Sequence, residues 1–234
     1  MTSTLTTPVL RQSLHLTRLH LNLHHSAVRR DLADRDQLHK TLMHLAGHPN
    51  SPTPRRSAGL LFRLETDPPA PTVLVQSNIP LHPHRLPDDY ARTQTRDATG
   101  LLTSLTSDQR VHYRITASPV RHRPGTPIGV RDDGRLLRTR GRPTPLHADD
   151  ALAWWQRQAD QAGLTLHTAT LAPQPFTTRQ RDVRHHLIQF DGHARIRDIT
   201  ALTHALHHGI GRAKSYGAGL LSLAPARPAP TDGR

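Results

Sequence analysis

The chain has 234 residues, no cysteine and a formal net charge of +13 at pH 7. The absence of cysteine excludes disulfides, thiolate catalysis and zinc–thiolate sites, and no apolar run approaches the length of a membrane span. A strongly basic chain favours polyanions as partners. Only 3% of its residues are aromatic, which favours backbone and shape recognition of a duplex or hairpin over stacking on unpaired bases.

The two ends of the chain are predicted to be disordered. Residues 1–13 are rich in threonine and lack the apolar core of a signal peptide, so we expect a disordered extension and a cytoplasmic protein. Residues 226–234 are expected to form a disordered tail.

The elements of the first half are predicted from periodicity and capping. Apolar and polar residues alternate over 14–23, which is typical of a half-buried strand. Asp34 is a capping residue that precedes leucines at helical spacing, which predicts a helix over 34–46. The predicted elements are, in order, strand 14–23, helix 34–46, strands 60–65 and 72–77, a short helix 86–92 and a strand 100–105.

The second half repeats the same order of elements. The prediction is strand 110–117, a basic mobile loop 119–145, helix 149–163, strands 164–171 and 186–190, an extension 193–197 after a turn at Asp191-Gly192, helix 199–208 and strand 220–224. Strand, helix, two strands, helix and strand form the ferredoxin-like unit. We therefore predict an α+β fold of two tandem ferredoxin-like (RRM-like) domains, residues 14–106 and 107–225.

A glycine-rich segment between the last helix and the last strand is the strongest functional signal. Four glycines and two cations occupy residues 209–219. Glycine lets a backbone approach a phosphate closely, and successive N–H groups in such loops can bind anions. The predicted RNA-binding residues here are Gly209, Gly211, Arg212, Lys214, Gly217 and Gly219. The alternative is that the glycines only turn a tight corner between a helix and a strand.

Further arginines precede the strand at residue 186. Arg179, Arg181 and Arg184 are predicted to contribute to an RNA-binding surface, and the alternative is a solvated charged loop. The seven arginines of the predicted loop 119–145 extend the basic surface or keep that loop soluble.

Several short motifs resemble the CasE family, the CRISPR-associated endoribonucleases of type I-E systems. The motifs are Leu-Thr-Arg-Leu at 16–19, Arg-Arg-Asp-Leu at 29–32 leading to Leu38-His39, Leu-Phe-Arg-Leu-Glu at 61–65, Tyr-Arg-Ile-Thr-Ala-Ser-Pro at 113–119, Ala-Trp-Trp at 153–155, and the segment 209–225. The resemblance covers most of residues 14–225, and the segment 209–225 is its most specific part.

The resemblance implies a metal-independent ribonuclease without a cofactor. Such enzymes cleave CRISPR precursor RNA at the base of each repeat hairpin and stay bound to the mature guide RNA hairpin beside the other Cascade subunits. The catalytic histidine of the family falls on His39. The family often has a tyrosine three positions earlier, where this chain has Asp36.

The chemistry of these two residues fits RNA cleavage. Cleavage without a metal needs a group that deprotonates the 2′-OH, and histidine titrates near neutral pH. Asp36 lies three residues before His39, on the same helix face. Asp36 is therefore a candidate to orient the imidazole and raise its pKa, or it is a first-turn acid favoured by the helix dipole.

Two other functions stay open at this point. One is an RNA-binding subunit of the same complex with weak or no catalysis, and the other is a general basic nucleic-acid-binding protein. The histidine pairs at 24–25, 185–186 and 207–208 suggest a metal, but adjacent strand residues point to opposite faces, so the first two pairs cannot chelate simply. The chain also has no His-Glu-x-x-His motif and no cysteine. No metal site is therefore predicted.

Overall fold

The computed structural model describes residues 13–47, 54–66, 71–131, 133–139, 141, 143–173, 178–180 and 183–226. The N-terminal extension predicted to be disordered lies outside the described residues except for Ser13. The tail predicted to be disordered likewise lies outside them except for Ala226.

The first half of the chain forms a four-stranded antiparallel sheet with the order β2-β3-β1-β4. Its elements, in chain order, are β1 (His15–Leu21), α1 (Ser26–Ala33), α2 (Arg35–Leu45), α3 (Pro54–Ser57), β2 (Leu61–Glu65), β3 (Thr72–Ser77), β4 (Ala91–Asp97) and α4 (Thr99–Thr103). This strand order is that of a ferredoxin-like sheet. The second helix of the unit is reduced to a 3-10 turn at Pro83–Arg85.

The second half forms a larger antiparallel sheet with the order β10-β14-β5-β15, in which β11 also pairs with β14. Its elements, in chain order, are β5 (Arg110–Ala117), β6 (Val120–His122), β7 (Pro127–Val130), β8 (Leu136–Arg138), β9 (Pro143–Pro145), α5 (Ala148–Gln161), β10 (Leu164–Leu166), β11 (Thr170–Pro173), β12 (Thr178–Gln180), β13 (Val183–His185), β14 (Ile188–Ile196), α6 (Ile199–His208) and β15 (Leu221–Pro225). The predicted α+β fold of two tandem ferredoxin-like domains is confirmed.

Each sheet has its own hydrophobic core. In the first half the stripe of α2, formed by Leu38, Leu42 and Leu45, packs with Phe62. In the second half the core is built around Tyr113, Trp155 and Phe190, together with Leu14, Leu102 and Leu105 from the first half. We propose residues 14–106 and 107–225 as the domains, with α4 covering the second core.

Three predicted elements of the two halves are wrong. The predicted helix 86–92 is a loop that leads into β4. Strand β4 lies at the edge of the sheet, and most of its side chains are exposed. The predicted strand 100–105 begins as helix α4, since Leu102 packs on the second core rather than in a sheet. The predicted mobile loop 119–145 contains two antiparallel ribbons, β6–β9 and β7–β8.

The predicted turn at Asp191-Gly192 is also absent. Strand β14 runs through both residues and pairs with β5 from Ile188 to Arg195. Gly192 is needed because a Cβ there would collide with the carbonyl oxygen of Thr168. Helix α1, which is capped by the His25 side chain, was not predicted.

Polar contacts join the two domains. Arg63, of which only 3% is exposed, donates to Ser222 Oγ at 2.9 Å and pairs with Glu65 at 2.7 Å. Gln76 Nε2 donates to the carbonyl oxygen of Leu206 at 2.6 Å in a buried position. These contacts fix α6 and the segment that follows it against the first sheet.

Candidate functional site

His39 lies on α2, and a buried carboxylate holds this helix in place. Asp31 on α1 is fully buried and accepts hydrogen bonds from Thr41 Oγ1 at 2.6 Å and from Tyr90 Oη at 2.9 Å. Because Thr41 is two residues after His39, this network ties the part of α2 that carries His39 to α1 and to the residue that precedes β4. The Arg-Asp-Leu motif around Asp31 is therefore structural.

The His39 ring is half-buried against the aromatic ring of Phe62. The two rings stack with centroids 6.4 Å apart and an interplanar angle of 17°. Nδ1 of His39 is buried and has no hydrogen-bond partner among the residues that the structure describes. The ring is thus positioned by packing, and Nε2 is the nitrogen left to meet a substrate.

The surroundings of His39 favour the neutral imidazole. Burial lowers the pKa of His39 below its usual value, and the positive charge of Arg55 lowers it further. Asp36 raises the pKa of His39, but its effect is the smallest of the three. A neutral imidazole at neutral pH is suited to accept a proton.

Asp36 is bound to Lys40 rather than to His39. Asp36 Oδ2 lies 2.9 Å from Lys40 Nζ, an i,i+4 pair on the surface of α2. The Asp36 N–H donates to Oδ1 of Asp34, which caps the helix. This geometry favours the first-turn role of Asp36, with only a weak electrostatic effect on His39.

The glycine-rich loop of the second domain meets α2 and β2 of the first domain. Gly217 has φ +88°, and a Cβ at this position would lie 3.1 Å from Cε2 of Phe62. The same Phe62 ring stacks on His39. The loop therefore lies against the same phenylalanine ring on which the candidate catalytic histidine packs.

The end of this loop is a closed corner. The N–H groups of Tyr216 and Ala218 donate to the carbonyl oxygen of Ala213, and that of Gly219 donates to Thr116. Gly209 at φ +70° packs against Leu61. Because these N–H groups are used within the protein, the geometry favours the corner interpretation for this end of the loop, and RNA binding by Gly217 and Gly219 stays a prediction.

The two cations of the loop point to different neighbours. Lys214 is half-buried, and its Nζ donates to the carbonyl oxygen of His208 at 2.7 Å. Burial lowers the pKa of Lys214, and Arg55 and Arg56 lower it further. Arg212 is exposed, and its Nη1 donates to His122 Nε2 at 2.7 Å.

A basic cleft of about 1390 Å³ lies between the loop and the β6–β9 ribbon. Its described lining contains no carboxylate. Its cationic and histidine lining side chains are Arg55, His122, Arg123, His186, Arg212 and Lys214. Gly211 also lines the cleft, which makes this surface the candidate RNA interface.

The predicted arginines before residue 186 lie only partly within the described chain. Arg179 and Arg184 face each other in the β12–β13 ribbon by backbone pairing, and Arg181 lies outside the described residues. They remain proposed RNA contacts.

Sequence reasoning missed Arg55 and Phe62 as parts of the site. Arg55 lines the cleft and acts on the pKa values of both His39 and Lys214. No periodicity or motif marks it, because its short helix α3 reaches the site only through the tertiary fold. Phe62 lies in one of the motifs that resemble the CasE family, but nothing in the sequence marked it as a functional residue.

The described residues form neither a metal-binding cluster nor a membrane-spanning helix. No group of three or more histidine, aspartate or glutamate side chains in this part of the chain comes together to hold a metal ion. No described helix has both the length and the apolar character to cross a membrane.

Two curated proteins are similar to this chain over most of its length. The CRISPR system Cascade subunit CasE of Escherichia coli strain K12 is 30% identical over 194 residues, which cover 81% of this chain and 91% of CasE. The CRISPR-associated endoribonuclease Cse3 of Thermus thermophilus is 28% identical over 229 residues, which cover 90% of this chain and 99% of Cse3.

A solved structure gives the same result. Thermus thermophilus Cse3 bound to an RNA representing a pre-cleavage complex superimposes with a TM-score of 0.72 at 25% identity, and the match covers 91% of this chain and 100% of that chain. A family model described as CRISPR associated protein matches residues 14–225. The chain therefore belongs to the CRISPR-associated proteins, in the CasE family.

Proposed function

We propose that this protein is a metal-independent endoribonuclease that cleaves CRISPR precursor RNA at the base of the repeat hairpin and stays bound to the mature guide RNA in Cascade. The observation that carries the proposal is the packing of His39 and of the glycine-rich loop on the same Phe62 ring, next to the cations of the basic cleft. The relatives named as a Cascade subunit and as an endoribonuclease support it.

In the proposed reaction, Nε2 of His39 accepts the proton of the 2′-OH. The 2′ oxygen then attacks the adjacent phosphorus, the bond from phosphorus to the 5′ oxygen breaks, and that oxygen takes up a proton from solvent water. The products are a 2′,3′-cyclic phosphate and a 5′-hydroxyl. The lowered pKa of His39 keeps the ring neutral and able to act as a base near neutral pH.

The cations of the cleft hold the RNA. Arg212 and Arg123 are exposed at the two sides of the cleft, where they can neutralise backbone phosphates of a hairpin. Lys214 and Arg55 lie deeper and favour negative charge on the reacting phosphate. Affinity thus comes mainly from the cleft, and proton transfer comes from His39.

The alternative is a subunit that binds the hairpin but cleaves it weakly or not at all. Asp36 favours this alternative, since it stands at the family's tyrosine position and is paired with Lys40. Incubation of the repeat RNA with the protein in EDTA separates the two functions. We expect cleavage to a 2′,3′-cyclic phosphate and a 5′-hydroxyl, whereas tight binding without cleavage would establish the alternative.

A further inference from the structure

A second basic cavity, of about 430 Å³, lies between α3, α6 and the glycine-rich loop. We name it the cation cavity. Its charged and titratable lining side chains are Arg55, Arg56, His207, His208 and Lys214. It shares Arg55 and Lys214 with the RNA cleft but opens toward α6 instead of toward the β6–β9 ribbon.

The cation cavity concentrates positive charge without a compensating acid. No carboxylate is present in its described lining, which is completed by Gly59 and Leu61. Arg56 lowers the pKa of Arg55, and both arginines lower the pKa of Lys214, in each case after the larger effect of burial. The cations therefore repel one another, and an anion placed among them would relieve that repulsion.

His207 supplies an independent sign of a ligand. Only 3% of this residue is exposed, and its Nδ1 lies 3.1 Å from Oδ1 of Asn78 in the first domain. Its Nε2 is buried and has no hydrogen-bond partner among the described residues, although the side chain lines the cavity. Buried polar nitrogens without a partner are rare in folded proteins.

A glycine in the first domain leaves room for the Asn78 amide that contacts His207. Gly59 has φ +59°, and a Cβ there would collide with the amide of Asn78. With Asn78 Oδ1 as acceptor, Nδ1 carries the proton of the neutral ring. Nε2 must then gain a proton to donate a hydrogen bond into the cavity, which an anion would favour.

We propose that the cation cavity binds a phosphate group. Cations and imidazole donors match phosphate oxygens, whereas a metal ion would need anionic ligands that the described lining does not supply. The phosphate belongs to the RNA backbone beyond the hairpin or to free phosphate. Only the RNA source rests on the proposed function; phosphate binding itself does not.

Titration of the full-length protein with inorganic phosphate tests the proposal without RNA. The signal is the NMR resonance of His207 Nε2 after selective labelling of histidine. We expect phosphate to shift this resonance and to raise the pKa of His207. An unshifted resonance, or a pKa of His207 that stays the same with phosphate, would overturn the proposal.

Two variants locate the effect in the cavity. Arg56→Gln should weaken phosphate binding about tenfold, since it removes one charge-assisted contact, whereas Arg96→Gln on β4 should leave it unchanged. His207→Asn keeps an amide for Asn78 and removes the buried Nε2 that has no partner among the described residues, so it should also weaken binding. Thermal melts establish whether each variant is folded. Equal phosphate affinity in wild type and folded Arg56→Gln would overturn the proposal.

RNA competition then distinguishes the two sources of phosphate. A repeat hairpin alone is compared with the same hairpin carrying single-stranded nucleotides on either side, using the His39→Ala variant so that the RNA stays intact. If the extended RNA displaces inorganic phosphate and the hairpin does not, the cavity is assigned to the RNA backbone. Retention of phosphate in both complexes assigns it to free phosphate.

Discussion

The reactivity of His39 depends on the charges and packing around one imidazole ring. Burial against Phe62 and the charge of Arg55 lower its pKa, and Asp36 opposes them weakly. In the proposed mechanism the ring acts as a base at neutral pH, and its protonation at lower pH should stop cleavage. The acid limb of the pH–rate profile then reports the pKa of His39.

Two substitutions should move this limb in opposite directions. Arg55→Gln removes a nearby positive charge, raises the pKa of His39 and moves the acid limb to higher pH. Asp36→Asn removes a nearby negative charge, lowers the pKa of His39 and moves the limb to lower pH. Single-turnover cleavage across the pH range measures both midpoints.

Arg56→Gln is the matched control, because Arg56 does not contribute to the pKa shift of His39. Its midpoint should equal that of the wild type. Midpoints that move in the same direction in Arg55→Gln and Asp36→Asn would contradict the electrostatic account of the site.

The pairing of Asp36 shows what the sequence could and could not predict at this scale. Helical spacing placed Asp36 and His39 on one face, but the same spacing allows an i,i+4 pair with Lys40, and that pair forms. Phe62 and Arg55 come from β2 and α3, so their approach to His39 depends on tertiary packing.

Among the elements, the glycine-rich loop connects the two halves of the site. Gly217→Val would place branched carbons against Phe62 at a positive φ. We expect a loss of about 3 kcal/mol in the free energy of unfolding, from backbone strain and overpacking together, and a strong loss of cleavage. Urea unfolding and hairpin cleavage measure the two effects.

Gly100→Val is the control, because a Cβ at Gly100 has no neighbour within 4 Å. It should unfold and cleave like the wild type. Wild-type stability in Gly217→Val would mean that the loop is an ordinary surface turn.

Lys214→Ala should keep the fold but lose affinity for the hairpin.

The β6–β9 ribbon and the loop should each contribute phosphate contacts. Arg123→Ala and Arg212→Ala should each reduce the slope of log affinity against log salt by roughly one. Hairpin-binding titrations at several salt concentrations measure the slope, with Arg96→Ala as an exposed control outside the cleft. An unaltered slope in the Arg123→Ala, Arg212→Ala double variant would place the RNA on another surface.

Strong periodicity and clear caps predicted most of the elements that carry the fold. The leucine stripe of α2 and the Gly209 end of α6 are local signals, and both helices are found. Strand β4 was missed because an edge strand with seven mostly exposed residues has little hydrophobic pattern. The β6–β9 ribbon depends on pairing between residues far apart in the sequence, which no short window contains. The β7–β8 ribbon is a local hairpin, but Pro127 and Gly129 in its first strand are residue types that are disfavoured in strands.

For the whole molecule, the site depends on the fixed orientation of two domains. His39 comes from the first domain and the glycine-rich loop from the second. Arg63 is almost fully buried and joins the two domains by donating to Ser222 Oγ, while Glu65 of its own strand pairs with its guanidinium. Any loosening of this interface should separate the base from the phosphate-binding cations.

Arg63→Gln tests this dependence. Loss of the charge-assisted contacts should reduce the free energy of unfolding by about 2 kcal/mol, and cleavage should fall even where the variant remains folded. Arg96→Gln, a surface substitution on β4, should change neither quantity. Full cleavage by folded Arg63→Gln would show that the interface does not position the site.

The central claim is that His39 performs the proton transfer while the basic cleft holds the RNA. It is tested most directly by single-turnover cleavage and equilibrium binding of the repeat hairpin with His39→Ala, beside His44→Ala on the exposed side of the same helix. We predict that His39→Ala abolishes cleavage and binds the hairpin nearly as tightly as the wild type, while His44→Ala cleaves normally. Undiminished cleavage by His39→Ala would contradict the account.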